Sequence, residues 1–355
     1  MVTGANVATV IVMLLVGYSY HLHPASHPLL STVGMVFPFF LVANLLFMVF
    51  WLVFKWTRAW VPVAGFVLAY TPISVYMPLH TREEVPEGSI RLMTYNVCGY
   101  GGNFKYDNGF NVVLDYIEQQ KADIVCVQED NDDKNRNVFA GYEKIGLTHN
   151  DTITLMQTKS NSNSLGIHTR FPIVKRERIE YPTKTSNGSV AWWLKVNGDT
   201  LIVVNNHFES CHLTKDDREQ YRQMLKGQMD SDSVRTESKV LLVKLAEANA
   251  KRSAQIDCVK SYIDEHQAYD FIVCGDFNDN PLSYSRHVMA QQLTDCFAAT
   301  GRGLGLSYYQ KGFFFRIDHI FCSPDIQPYQ CVVDSEIDAS DHYPLVCWLK
   351  IGGKP

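Results

Sequence analysis

Carboxylates, amides and imidazoles recur in this chain at the edges of apolar runs. RLMTYNVCGYGG leaves its run at Asn96, DIVCVQED at Glu129, LIVVNNHFES at His207, and IVCGDFNDNP at Asp276 with Asn278 close behind. RIDHIFCS opens a run with Asp318, and ASDHYPLVCWL places Asp341 and His342 just ahead of another. Carboxylates such as Glu129 and Asp341 are hard oxygen donors suited to Mg²⁺ or Mn²⁺. A cation there would polarise a phosphoryl oxygen and stabilise a leaving oxygen. Asp276 has the chemistry to orient or deprotonate a water. His342, next to an acidic group, has the form of an imidazole held for acid–base or electrostatic work. Asn96 and Asn278 can position a phosphate or a water without adding charge. Singly, each signal is weak: Gly, Asp, Asn and Pro after a strand make an ordinary turn, a lone His207 is ordinarily structural, and a lone Asp318 is ordinarily a paired carboxylate. Together they argue for convergence, because the strand ends of a packed α/β core gather at one rim, where ligand sites form.

Competing chemistries find little support. There is no GxSxG elbow and no P-loop. The nine cysteines all follow residue 97 and show neither disulfide-framework nor zinc spacing. Cys126 and Cys274 sit in apolar runs, where a free thiol packs as a small hydrophobe. Cys98 and Cys211 lie near the motifs and read in the same way.

The elements that must carry these groups are short apolar runs broken by turn signals. Strands are expected at Ile90–Tyr95, Ile124–Val127, Leu165–Thr169, Val190–Val196, Leu201–Asn205, Phe271–Cys274, His319–Phe321, Cys331–Val333 and Leu345–Ile351. Helices are expected at about 109–120 and 238–265 from their apolar spacing. Residues 209–236 are strongly polar and read as a solvated loop with a surface helix around 216–226; the sharper alternative is a flap over a neighbouring site. Strands and helices mix without strict βαβ alternation, which points to an α/β sandwich.

The first eighty residues differ in kind. Composition is globular overall, 46% hydrophobic and 19% charged, yet Met1–Phe54 holds no Asp, Glu, Lys or Arg. Apolar segments at about Ala5–Tyr20, Leu29–Phe54 and Trp60–Leu79 are each near the ~20 residues that cross a bilayer. Trp and Tyr cluster near their ends, as interfacial aromatics do. No basic n-region or small-residue cleavage site marks a signal peptide. The expectation is a membrane anchor of two to three helices over 1–80, a polar linker over 81–88 and a soluble domain over 89–352. Lys55 and Arg58 place the loop between the second and third segments in the cytoplasm. With three spans, the soluble domain is then extracytoplasmic, on an integral protein of the plasma or inner membrane.

The stretches MTYNV, VCVQED, LGIHTRFPI, VVNNHFES, VCGDFNDNP, RIDHIF and SDHYPL, in this order over about residues 90–350, resemble the endonuclease/exonuclease/phosphatase superfamily, which includes type I deoxyribonuclease. The resemblance implies a four-layer sandwich of two mixed β-sheets flanked by helices. It also implies that Asn96, Glu129 and Asp341 hold a divalent metal, Mg²⁺ or Mn²⁺. By the same resemblance Asp276 aligns the attacking water, Asn278 contacts the scissile phosphate, and Asp318 pairs with a phosphate-binding His342. His207 is a second phosphate contact or the leaving-group acid, and no covalent intermediate is implied. After the Gln128–Glu129 pair, NDDKNRN over 131–137 offers no aromatic finger for a base stack.

The expected activity is metal-assisted hydrolysis of a phosphodiester or phosphomonoester by an anchored enzyme, with a tethered DNA or RNA nuclease of the same mechanism as the alternative. A catalytically silent binding module would have lost Glu129, Asp276 or His342, and all are present. Residues 1–87 hold three basic and three acidic side chains, so the whole net charge of −5 falls on residues 88–355. That argues mildly against gripping duplex phosphate. The expected partners are the bilayer and a phosphate ester: a lipid head group, a small phosphoester or a nucleic acid. No protein partner is implied. Phe313, Phe314 and Phe315 read as core packing or as a wall beside the site.

Overall fold

The computed structural model describes residues 1–101, 111–130, 138–157, 162–182, 185–211, 213–310 and 313–352. The NDDKNRN segment and the start of the 109–120 helix lie outside them. The chain divides into two compact units. One holds Met1–Pro78, Cys211–Ser253 and Asn280–His287; the other holds Leu79–Ser210, Ala254–Asp279 and Val288–Pro355.

The larger unit is built on two six-stranded sheets. The first orders its strands as Gln327–Val333 (β13), Leu345–Lys350 (β14), Ile90–Asn96 (β1), Ile124–Gln128 (β2), Ser162–Thr169 (β4) and His149–Gln157 (β3). The second runs Ile173–Ile179 (β5), Gly188–Val196 (β6), Asp199–His207 (β7), Asp270–Asp276 (β8), Asp318–Cys322 (β12) and Thr294–Asp295 (β9). Tyr308–Gln310 (β10) and Phe313–Phe315 (β11) form a separate two-stranded ribbon. Both sheets are mixed: β1–β2 and β7–β8 pair parallel, the other ladders antiparallel.

The sheets face each other across one apolar layer. Leu92, Ile124, Ile167 and Leu345 from the first pack with Trp192, Val203, Ile272 and Ile320 from the second. The outer face of the first sheet buries Met93, Tyr95, Val125 and Val127 under Val113, Tyr116 and Ile117 of the Val112–Gln120 helix. That helix is capped by Asn111, whose side chain accepts from the amides of Val113 and Leu114. On the second sheet, Tyr262 of the Ser231–Glu265 helix stacks edge-on to Phe271 and hydrogen-bonds Trp193. This is the two-sheet sandwich with flanking helices that the sequence implies.

β3 and β5 were not legible as strands. HNDTITLMQ and IVKRERI carry charge and amides because each is an edge strand with one side to water, where polar residues block further pairing. The polar 209–236 segment contains a helix at Lys215–Leu225, opened by a Thr214–Asp217 capping box, and the start of the Ser231–Glu265 helix.

In the smaller unit, two helical segments, Val2–His21 and Leu30–Phe54, are long and apolar enough to cross a membrane. The third apolar stretch is broken, its halves Trp56–Leu68 and Tyr70–Tyr76 meeting at 63°. Pro72 explains the break: it has no N–H for the Leu68 carbonyl four residues back, and its ring crowds that carbonyl. The Tyr18 hydroxyl donates to the freed Leu68 oxygen at 2.8 Å. Inside the helices, Trp51 Nε1 donates to Asn6 Oδ1 at 2.9 Å and Asn44 Nδ2 to the Pro62 carbonyl at 3.0 Å. These polar groups are satisfied within the bundle.

Candidate active site

Ladder registry brings the chemical groups to one rim. His207 ends β7 directly opposite Asp276 at the end of parallel β8, and Asp318 starts β12 opposite the same Asp276. Asn96 ends β1 opposite Gln128, one residue before Glu129. Beneath them a buried amide clamp ties the two sheets: Gln128 Nε2 donates to Asn205 Oδ1 at 2.6 Å, and Asn205 Nδ2 to the Val127 and Gly166 carbonyls. At β8, Gly275 has φ +129°, and a Cβ there would stand 2.1 Å from the Asn206 carbonyl oxygen. Only glycine lets β7 and β8 close together just before Asp276.

One oxygen is the hub. Asp276 Oδ2 lies 3.2 Å from Asn96 Nδ2, 3.7 Å from His207 Nε2 and 3.6 Å from His342 Nε2. Asp276 Oδ1 accepts the Asn278 amide at 2.8 Å, and Asn278 Nδ2 donates to the Phe208 carbonyl at 3.0 Å. Asn96 Nδ2 also donates to Glu129 Oε1 at 3.2 Å, and Asn96 Oδ1 accepts the Cys98 amide. On the far side of His342, Nδ1 meets Asp318 Oδ2 at 2.9 Å. Asp276, Asp318, His342, Asn96 and His207 are buried, whereas Glu129, Asn278 and Asp341 are part-exposed. Asn96, Glu129, His207, Asp276, Asn278, Asp318 and His342 therefore form one cluster; Asp341 precedes His342 in the SDH turn, and its carboxylate takes a hydrogen bond from Gln310 Nε2 at 3.3 Å.

The electrostatics separate two jobs. Burial alone would depress the His342 imidazole, but the charges of Asp318 and Asp276 and the hydrogen bond to Asp318 outweigh it and push it up to about 10. Burial raises the Asp276 carboxyl above the usual carboxylate range, the neighbouring Asp318 adding to this and the histidines opposing it. Ligand atoms of Asp276, Asp318 and His342 all lie within 4.8 Å of one another, close enough for a cation. An imidazole that carries its second proton offers a cation no lone pair. Glu129 and Asp341 carry carboxylate oxygens, and Asn96 an amide oxygen, of the hard kind that Mg²⁺ or Mn²⁺ takes. Glu129 and Asp341 also act on Cys98: partial desolvation, then these two charges, push its thiol up to about 12, which disfavours the thiolate.

Several positioning residues were missed in the sequence. Asn163 Oδ1 faces His207 Nδ1 at 3.3 Å, and Ser307 Oγ accepts the amides of Ile317 and Asp318. Ser340 Oγ donates to the Asn96 carbonyl at 2.7 Å and accepts the His342 amide at 3.2 Å, joining β1 to the SDH turn. Ser340 stands inside SDHYPL and was within reach; Asn163 and Ser307 carry no local signal. Of the phenylalanine triplet, Phe313 is buried and Phe314 is 50% exposed, the alternation of a half-buried strand.

A family model described as the endonuclease/exonuclease/phosphatase family matches residues 93–342. The chain belongs to this family. Members of the endonuclease/exonuclease/phosphatase family hydrolyse phosphoester bonds. Residues 1–76 match a separate model, a domain of unknown function (DUF8431). No curated protein matches the chain. Among solved structures, it is similar to the human Nocturnin catalytic domain with bound sulfate, at 17% identity and TM-score 0.53 over 77% of this chain and 97% of that one. It is similar to ANGEL2, a 2',3'-cyclic phosphatase solved with adenosine-2',3'-vanadate, at 14% identity and TM-score 0.51 over 76% and 98%. It is also similar to the Bacteroides thetaiotaomicron mannosyl-6-phosphatase Bt3783, at 16% identity and TM-score 0.50 over 74% and 100%. At these identities the likeness shows the shared fold.

Proposed function

We propose that this protein is a membrane-anchored, divalent-cation-dependent phosphoesterase, with residues 1–80 as the anchor and 89–352 as the catalytic domain. The observation that carries the reading is the Asp276 hub: one buried carboxylate oxygen met within 3.7 Å by an amide and two imidazoles delivered from separate strand ends and turns. Glu129, Asn96 and Asp341 would hold a Mg²⁺ or Mn²⁺ ion, which when bound supplies Lewis-acid polarisation of a phosphoryl oxygen. Asp276 accepts a hydrogen bond from the attacking water and takes its proton. His342, kept cationic by Asp318, donates from Nε2 to a phosphoryl oxygen, where developing negative charge strengthens the bond. His207, oriented by Asn163, contacts a second phosphate oxygen or protonates the leaving group. Asn278, its side-chain amide set by Phe208, contacts the scissile phosphate.

The net charge of −5 on the part after residue 87 disfavours a grip on duplex nucleic acid, and the apolar helices favour a substrate at or near a bilayer. Arg58 donates to Thr3 Oγ1 and lies 5.4 Å from the Trp51 ring, which puts the chain start and the Lys55–Arg58 loop at one end of the helices. With Lys55 and Arg58 on the cytoplasmic side and the bent third stretch counted as one span, the catalytic domain is extracytoplasmic. The test uses the purified full chain in detergent with Mg²⁺ or Mn²⁺ against a bis-aryl phosphate diester, sphingomyelin, inositol phosphates, RNA and plasmid DNA. Diester or monoester turnover, lost with EDTA and with Asp276→Ala and without plasmid nicking, is expected. Plasmid nicking abolished by Asp276→Ala would replace this reading with a tethered nuclease, and no turnover with any metal would overturn it.

A further inference from the structure

Immediately after Glu129 the chain buries a second carboxylate that the hydrolytic scheme does not use. Asp130 is 3% exposed. One oxygen, Oδ1, accepts the Tyr100 hydroxyl at 2.5 Å; the other, Oδ2, accepts the Thr152 hydroxyl and faces His168 Nε2 at 3.6 Å. His168 is itself fixed from two directions. Its Nδ1 meets Asn150 Oδ1 at 2.8 Å, and its ring stacks on Tyr142 at 3.5 Å with only 8° between the planes. The pocket for this carboxylate exists because residue 166 is glycine: a Cβ there would stand 2.2 Å from Asp130 Oδ2.

The backbone around Glu129 is in a state that needs holding. Glu129 has φ +53°, the left-handed region that a side chain other than Gly or Asn enters reluctantly. This one residue turns the chain so that Glu129 reaches Asn96 in the site while Asp130 points back into the protein. Backbone bonds from Val97 to Gln128, Gly99 to Glu129 and Asp130 to Ser164 complete the turn. A buried carboxylate with several donors is costly to leave half-satisfied, so the network tolerates one placement of Asp130.

Resting on the metal assignment above, we propose that Asp130 is a positioning residue for Glu129: its anchorage by Tyr100, Thr152 and His168 holds the left-handed turn that presents the Glu129 carboxylate to a divalent cation. Groups that orient metal ligands typically change metal affinity by 10–100-fold when removed.

The test reads Mn²⁺ binding directly, by loss of the free-ion EPR signal on titrating the full chain in detergent micelles, with near-UV circular dichroism as the fold check. Asp130→Ala is expected to weaken Mn²⁺ binding about tenfold or more. Asp130→Asn, which keeps the shape and one acceptor oxygen while its amide nitrogen can donate to the hydroxyl on the other side, should recover part of that loss. If Asp130→Ala does not fold, the double variant Tyr100→Phe, Thr152→Val takes its place with the same expectation. Binding within twofold of wild type in the alanine or double variant, or an asparagine variant as weak as the alanine one, would overturn the inference. Glu129→Gln run alongside separates the two levels. If it keeps full affinity, the metal assignment fails; if it loses affinity while Asp130→Ala does not, only the positioning role fails.

Discussion

The two ends of this chain bury opposite things. In the sandwich, Leu92, Ile124, Ile272 and Ile320 are buried, and charged side chains mark its polar edge strands. In the first sixty residues the order inverts: Leu15, Phe39, Leu46, Leu52 and Phe54 are exposed by 58–72%, while Asn6 and Asn44 are buried. A chain folding in water hides apolar surface. A helix bundle in hydrocarbon gains nothing from hiding leucine and instead satisfies its polar groups internally. The inversion is what the proposed membrane anchor requires of the first region and not of the second. Buried, partly compensated charge of the Asp276–His342–Asp318 kind lies in the sandwich, whereas Met1–Phe54 holds no Asp, Glu, Lys or Arg.

The sharpest way to test that assignment of chemistry is Asp276→Asn. Turnover should fall by roughly 10³-fold or more, in the range set by general-base removal. Thermal unfolding should not move to lower temperature. The Asp276 carboxyl is raised in the fold, so its contribution to stability is present below its unfolded value and is lost as pH rises through the folded one. Ionising the group within the fold therefore costs stability, and asparagine removes that cost. A melting temperature well below wild type would mean that Asp276 is structural.

The second test breaks the two-solvent contrast directly. Leu92→Ala, in the sandwich core, should lower stability by about 2–5 kcal/mol in a thermal or denaturant melt. Leu46→Ala should do far less, although Leu46→Lys should weaken membrane retention by about 2.5–3.5 kcal/mol, read as carbonate-extractable protein in a membrane pellet. If Leu46→Lys stays fully membrane-bound, the exposed helix face does not meet lipid.

A third, smaller effect lies in the pH profile of kcat/KM. Activity should rise as Asp276 ionises, above the usual carboxylate range, and fall as His342 loses its proton near pH 10. Because His342 is raised, the stability it contributes is complete below its unfolded value near 6.5 and is lost as pH rises through about 10. Asp318→Asn removes a leading cause of that rise and should move the alkaline limb down; an unmoved limb would detach His342 from the profile. The smallest effect is expected at Cys98→Ser, less than about twofold on turnover, because the thiol is neutral and only its backbone amide engages Asn96.

Much of the architecture was legible because its cues are local. The apolar runs of β1, β2, β7, β8 and β14 are buried on both faces, so alternation was unnecessary and the runs stood out. β3, β5 and the short β9 were not, because edge strands are polar by need. Trp60–Leu79 read as one apolar segment, and only the pairing of Pro72 with the Leu68 carbonyl shows why it bends.

Residue type and order, taken alone, determined that a charge-free stretch precedes a region of ordinary charged composition, and that the acidic, amide and imidazole groups of this region stand at the ends of apolar runs. Periodicity and turn chemistry act over a few neighbours, so they are written into the string. Which oxygen those groups meet was decided only by the tertiary structure. Asn96 and Asp276 are separated by 180 positions, and their 3.2 Å contact depends on strand order, ladder registry and the close approach at Gly275. The left-handed Glu129 backed by buried Asp130 is of the same kind: no local pattern encodes a partner that arrives from another strand.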